Sequence, residues 1–234
     1  MIRGVEAKVG VLVVFGVTVL QVAIGAATVS RSGSAVRISY PRTILVPWVM
    51  AILALVLVAT SDDLSAADVG WAWPNGDGLD YLLALVAIVT HTVGAPVARR
   101  RLRNGSVRLD PGVAAIVPRT TVERWWAVAL AVTAGVTEEI LYRGLFVSAA
   151  VRLFHLPVVV AVTVSLAVFV VAHAYQGKRG MAGSLFLGLL YTLLFLISGS
   201  LLLPIVIHAV QNLFQLLWVL PAPRLANADA VRGG

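Results

Sequence analysis

The stretch T-E-E-I-L-Y-R, residues 137–143, places two carboxylates and a guanidinium in a run that is otherwise almost wholly apolar. W-W-A-V-A-L-A-V-T-A-G-V precedes it and G-L-F-V-S-A-A-V follows. A charged side chain at the middle of a bilayer costs about 2.5–3.5 kcal/mol on insertion scales, so such groups are partnered and mark function by default. On a helix Glu139 and Arg143 are i and i+4, on one face and within ion-pair reach. Glu138 points about 100° away from Glu139 and is free to face something else.

Two further apolar runs carry imidazoles. A-V-F-V-V-A-H ends at His173, with Phe169 one turn before it, and L-P-I-V-I-H-A-V-Q-N presents His208 and Asn212 at i and i+4. A Glu, two His and an Asn converging from three helices make either a water-activating site or a metal site. A carboxylate among apolar neighbours can take a proton from water and return it to a leaving amine. Two imidazoles and a carboxylate also match catalytic zinc with one position left open, so Glu138, His173 and His208 are candidate ligands of a divalent metal, zinc in the first place. His208 and Asn212 could instead donate hydrogen bonds to an oxyanion. Residue types and spacing leave these alternatives open.

The elements that must position these groups are membrane helices. The chain has 234 residues, 59% of them hydrophobic and 12% charged, with a mean hydropathy of +0.93; soluble domains are about 25% charged. Apolar runs fall at about 9–29, 43–60, 79–97, 125–150, 157–174, 181–198 and 202–220. They are continuous rather than alternating, which excludes a barrel and predicts an all-α, polytopic transmembrane helical bundle of about seven spans, six to eight. The A-I-G-A-A stretch near residue 25 mimics a signal cleavage site, but the number of runs that follow favours an uncleaved first span. The absence of cysteine removes disulfides, thiolate metal sites and thiol nucleophiles together. The expected organisation is an N-terminal region of three spans and a basic loop (1–124), a core carrying the three motifs (125–220) and a tail (221–234).

Distribution explains the net charge of +7. Alternating spans put Arg31, Arg37, Arg42, Arg99, Arg100, Arg101, Arg103, Arg108, Arg119, Arg124, Lys178, Arg179, Arg224 and Arg232 on one side and only Arg3, Lys8 and Arg152 on the other. Excess Lys and Arg marks the cytoplasmic face, so the arginine-rich loop is expected inside and the N-terminus outside. R-R-R-L-R reads as a topology signal and a contact for anionic lipid; no nucleic-acid partner is expected.

The set E-E-x-x-x-R, F-x-x-x-H and H-x-x-x-N, in order on successive apolar runs, resembles the CPBP family of intramembrane proteases: the CAAX prenyl endopeptidases, the bacteriocin-processing and abortive-infection-like enzymes and the lysostaphin-resistance-like proteins. Here the motifs are Glu138-Glu139 to Arg143, Phe169 to His173, and His208 to Asn212. The resemblance runs from about Trp125 to Leu220. It implies an intramembrane endopeptidase acting on a membrane-associated, leader or CAAX-like peptide, in a bacterial plasma membrane with the arginine-rich loop cytoplasmic. It implies that Glu138 activates water, that Glu139 and Arg143 hold the site together, that His173 assists or ligates, and that His208 with Asn212 stabilises the oxyanion or completes a metal site. Both metal-bound and metal-independent glutamate mechanisms are compatible with it. The competing expectation is a non-catalytic immunity or scaffold protein of the same fold.

Other polar residues have plainer readings. Glu139 with Arg143 serves equally as an ion pair that fixes helix packing. His91 reads as a packing residue and His155 as structural. N-G-D-G at 75–78 is a turn, and S-G-S at 198–200 is not a serine nucleophile. No H-E-x-x-H occurs. One geometric difficulty remains. Straight, full-length helices place His173 near one end of its span and His208 near the opposite end, about 15–20 Å apart at 1.5 Å per residue. A shared site therefore requires that Y-Q-G-K-R-G dips inward or that S-L-L-L-P begins below the surface, in irregular backbone that lines a wet cavity.

Overall fold

The computed structural model describes residues 2–32, 38–76 and 78–221, and all regular structure among them is helical. The helices are α1 (Ile2–Ser32), α2 (Tyr40–Thr60), α3 (Gly78–Arg103), α4 (Pro111–Ile116), α5 (Thr121–Glu138), α6 (Ser148–Arg152), α7 (Val158–Ala172), α8 (Gly177–Ser198) and α9 (Leu202–Phe214). A π-helical stretch, Glu139–Val147, joins α5 to α6, a second, Gln215–Val219, extends α9, and a 3-10 turn, Ala174–Gln176, links α7 to α8.

All seven apolar runs are helices, and the all-α polytopic bundle is the fold. Five segments are long and apolar enough to cross a membrane: Val5–Gly25, Tyr40–Thr60, Gly78–Arg103, Ala174–Ser198 and Leu202–Val219. Val158–Ala172 is apolar but shorter, and the run at 125–150 is the continuous α5–π–α6 unit that carries the buried charges. The protein is an integral membrane protein. The basic loop holds a short helix, α4, that the hydropathy pattern does not reveal. Of the expected tail 221–234, residues 222–234 lie outside the described residues, as do Arg37, Arg224 and Arg232 of the charge argument.

Helix α5 is the centre of the bundle, with α2 along one flank and α9 along the other. The approach of α9 is close because α5 presents Ala127, Ala131 and Gly135 four residues apart, all buried. A Cβ at Gly135 would lie 2.7 Å from the backbone nitrogen of Ala209, so only glycine lets the two backbones touch there. Small residues in register are the usual means of close packing in lipid, where no hydrophobic effect drives helices together. The first helices join the same interior: Ala7, Val11 and Val14 of α1 and Met50, Ala51 and Ala54 of α2 cluster with Ile140, Leu145 and Phe146 of the π stretch and Phe169 of α7.

The connection between α8 and α9 is recessed. Gly199, at φ 65°, ends α8 in the left-handed conformation, and Ser198, Ser200 and Leu201 are fully buried or nearly so. The loop between α2 and α3 seals this turn: Leu201 N–H donates to Gly70 C=O (2.8 Å), Asn75 N–H to Ser198 C=O (3.0 Å) and Ser200 Oγ–H to Ala72 C=O (2.6 Å). Both serines are thus absorbed in backbone bonding. At the same rim Arg152 pairs with Asp68 (2.8 Å), placing the α6 end and the α2–α3 loop on one side, as alternation of the spans requires.

Candidate active site

Glu138 is the last residue of α5, and Glu139 opens the π-helical stretch. π-Bonding, i to i+5, is rare and tends to occur at functional sites. Here it frees backbone groups that side chains re-satisfy: Ser165 Oγ–H of α7 donates to Tyr142 C=O (2.6 Å). Glu139, 0% exposed, and Arg143, 1% exposed, form the expected ion pair at 3.2 Å. Arg143 also reaches α8, with Nη2–H donating to Gly188 C=O (3.0 Å) and Nε–H to Thr192 Oγ1 (3.3 Å). Its guanidinium lies 4.3 Å from the centre of the Phe169 ring and 6.0 Å from that of Tyr191. Every polar edge of this cation therefore has a partner, as burial of a charge demands.

The two imidazoles converge on Glu138. Its Oε2 is 3.9 Å from His173 Nε2 and 3.9 Å from His208 Nε2. The separation that straight helices imply is absent for two reasons. Helix α7 stops at Ala172, so His173 caps it where the chain turns into Ala174–Gln176. Helix α9 begins beneath the sealed turn, and His208 follows Leu202 by six residues, about 9 Å along the axis.

Hydrogen bonding sets the tautomers. His173 Nδ1 lies 2.8 Å from the Phe169 carbonyl, which only accepts, so Nδ1 carries the proton and Nε2 presents a lone pair. His208 Nδ1 donates to Glu139 Oε1 at 2.8 Å, the oxygen that also accepts from Arg143. With Nδ1 bonded to Glu139, the other ring nitrogen of His208, Nε2, faces Glu138. Glu138 Oε2 is itself buried and makes no hydrogen bond among the described residues. At 3.9 Å none of these atoms bonds directly to another, and a separation of this size between acceptors calls for a bridging group. The Glu138 side chain, 25% exposed, and that of His173, 12% exposed, are the members of the set that solvent reaches most.

Asn212 lies one turn beyond His208 on α9, partly buried, and its carboxamide makes no hydrogen bond among the described residues. The two imidazole nitrogens and the carboxylate have the donor chemistry of catalytic zinc. Among the described residues, however, no group of three or more His, Asp or Glu side chains is arranged to hold an ion.

The structure adds groups that the motifs do not include. Tyr191 of α8 stacks on His208 (ring centres 5.2 Å apart, 29° between planes), and its hydroxyl donates to Gln211 Oε1. Gly188 and Thr192 anchor Arg143. Gly135 would have been accessible from the four-residue spacing of small residues on α5. The remaining histidines lie elsewhere: His91 packs edge-on against Phe214 (5.7 Å), and His155 sits in the α6–α7 connection at φ 55°.

Residues 120–214 match the protein family described as type II CAAX prenyl endopeptidase, Rce1-like. The match includes all three motifs, so the protease family indicated by their resemblance is the one found. No curated protein and no solved structure matches the chain.

Proposed function

We propose that the chain is an intramembrane endopeptidase in which Glu138 activates the attacking water. The observation that carries this reading is Glu138 Oε2, buried, without a hydrogen bond and 3.9 Å from the Nε2 atoms of both His173 and His208. A water in that space meets three acceptors and no competing donor. It gives one proton to the Glu138 carboxylate as its oxygen attacks the peptide carbonyl carbon. The Asn212 carboxamide, on the same face of α9 as His208, donates to the oxygen that becomes negative. Glu138 then passes the proton to the peptide nitrogen, the C–N bond breaks, and the new carboxyl group gives up its remaining proton to the amine, so that the products are a carboxylate and an ammonium group. The Nε2 lone pairs of His173 and His208 share the water's second hydrogen and so orient its oxygen. Glu139 and Arg143 act through His208, which they orient, rather than on the substrate.

The family match supports a peptide substrate presented at the membrane. Leader and CAAX-like peptides are the proposed classes, and a bacterial plasma membrane with the arginine-rich loop in the cytoplasm is the proposed setting. No step above passes through a metal; elemental analysis of active protein, with and without chelator, is the direct measurement of whether zinc contributes.

The test is cleavage of a quenched fluorescent peptide by the purified protein in lipid nanodiscs. Glu138→Gln, which keeps the shape and removes the base, lowers kcat by about 10²–10⁴-fold. Wild-type cleavage by that variant would sink the reading. A non-catalytic immunity or scaffold protein keeps its cellular phenotype with the same substitution.

A further inference from the structure

The two imidazoles that face Glu138 each rest on an aromatic ring. His173 lies against Phe169, with centres 4.5 Å apart, and His208 lies against Tyr191, with centres 5.2 Å apart. Both of those rings face the guanidinium of Arg143, at 4.3 and 6.0 Å. The five groups form one stack, His173–Phe169–Arg143–Tyr191–His208, which crosses from α7 through the π stretch and α8 to α9. Phe169 shares a helix with its histidine, one turn away. Tyr191 does not: it reaches His208 from a neighbouring helix, and its hydroxyl is tied to Gln211 of the same α9.

Within this stack we propose that Tyr191 is a positioning residue for catalysis. The imidazole of His208 has two requirements, Nδ1 on Glu139 and Nε2 towards Glu138, and both fail if the ring rotates about its own axis. The Glu139 bond at 2.8 Å resists that rotation at one edge of the ring only. A flat phenol parallel to the imidazole to within 29° blocks it. Tyr191 is 1% exposed, so its hydroxyl must be bonded where it stands, and Gln211 supplies the acceptor three residues along α9 from His208. The hydroxyl bond sets the height of the phenol on α9, and the ring sets the plane of the imidazole. The Arg143 guanidinium, the cation that pairs with Glu139, also lies over the Tyr191 ring, 6.0 Å from its centre.

The catalytic part of this proposal rests on the endopeptidase reading; the ring orientation does not, so two readouts separate them. Tyr191→Leu keeps an apolar side chain of moderate size but removes the flat face. It lowers kcat by about 10- to 100-fold, the scale of a misplaced catalytic group, with KM changed by less than about threefold. Tyr191→Phe keeps the face and loses the tie to Gln211; it and Gln211→Leu each lower kcat by a smaller factor, and the two together cost no more than either alone. Independently of any activity, nitrogen NMR of histidine-labelled protein shows His208 as a single Nδ1–H tautomer in the wild type and a mixture of tautomers in Tyr191→Leu. A Tyr191→Leu protein that keeps the single tautomer, or wild-type kcat, overturns the proposal. If the wild type cleaves no peptide, the endopeptidase reading falls, while the tautomer measurement still decides the role of Tyr191. Should Tyr191→Leu fail to fold, Tyr191→Phe and Gln211→Leu, with the nitrogen spectra, carry the same decision: additive losses, or spectra identical to wild type, overturn it.

Discussion

Two Arg–carboxylate pairs among the described residues are of opposite kinds. Asp68 and Arg152 meet at 2.8 Å on the rim, where the Arg152 side chain is 62% exposed. Glu139 and Arg143 meet at the longer distance of 3.2 Å with almost no exposure at all. Distance ranks the rim pair first, but surroundings reverse the order. Water already solvates both partners at the rim, so their contact adds little. In the interior each charge has surrendered its hydration, and loss of one partner strands the other. The interior pair also holds the His208 imidazole, two α8 groups and a ring stack, whereas the rim pair holds only the loop between α2 and α3.

This contrast gives a series of expected outcomes. Arg143→Leu leaves Glu139, Gly188 C=O and Thr192 without their cation and destabilises the fold by about 3–5 kcal/mol, read by thermal or denaturant unfolding in detergent. A drop under about 1 kcal/mol would show that burial does not govern the ranking. Glu139→Leu combined with Arg143→Leu sharpens the point: most of the lost stability returns, because an apolar pair of similar volume replaces a buried ion pair, yet cleavage does not return, because His208 Nδ1 has no acceptor. Gly135→Leu forces α9 away from α5 at Ala209 and costs about 1–3 kcal/mol by overpacking, together with activity; Gly135→Ala costs less of both. Asp68→Asn at the rim costs about 0.2–1 kcal/mol and leaves kcat unchanged.

The smallest effect is that of pH on the rim. The Ser65 hydroxyl and N–H, at 2.6 and 2.9 Å, and then Arg152 hold the Asp68 carboxyl below its ordinary value of 3.8, against the opposing effect of partial burial. Because the folded value is the lower one, this contribution is complete above pH 3.8 and disappears as pH falls through the folded value. Proteolytic nicking of the loop is therefore flat at neutral pH and rises only in strong acid. In Asp68→Asn the dependence on acid is removed.

The contrast also explains what the sequence discloses. Charges in an apolar run are conspicuous in one dimension, so Glu138, Glu139, Arg143, His173 and His208 were identifiable without coordinates, as were all seven helical runs. The bond from His208 to Glu139 was not, since it joins residues 69 apart and neither spacing contains it. Tyr191 and Thr192 sit in a helix that reads as uniformly apolar, and their roles depend on the direction in which α8 faces. The π stretch was hidden because its hydrogen bonds are offset by a single residue from those of an α-helix, a change that composition does not record. The depth conflict between the two imidazoles was visible; of the two expected resolutions the chain uses the recessed start to α9, together with a short α7 of 15 residues, whereas Gly177–Gly180 of Y-Q-G-K-R-G begin α8.

The lid over that recessed start joins residues as far as 128 apart in sequence, Ser200 and Ala72. During synthesis, the loop that forms it emerges long before the turn it covers. Until α8 and α9 have entered the bilayer, Glu138 has neither His208 nor a sealed outer end above it. On the proposed mechanism, the nascent protein therefore carries its acid in an inert form, and assembly of the last two helices is the step that arms it.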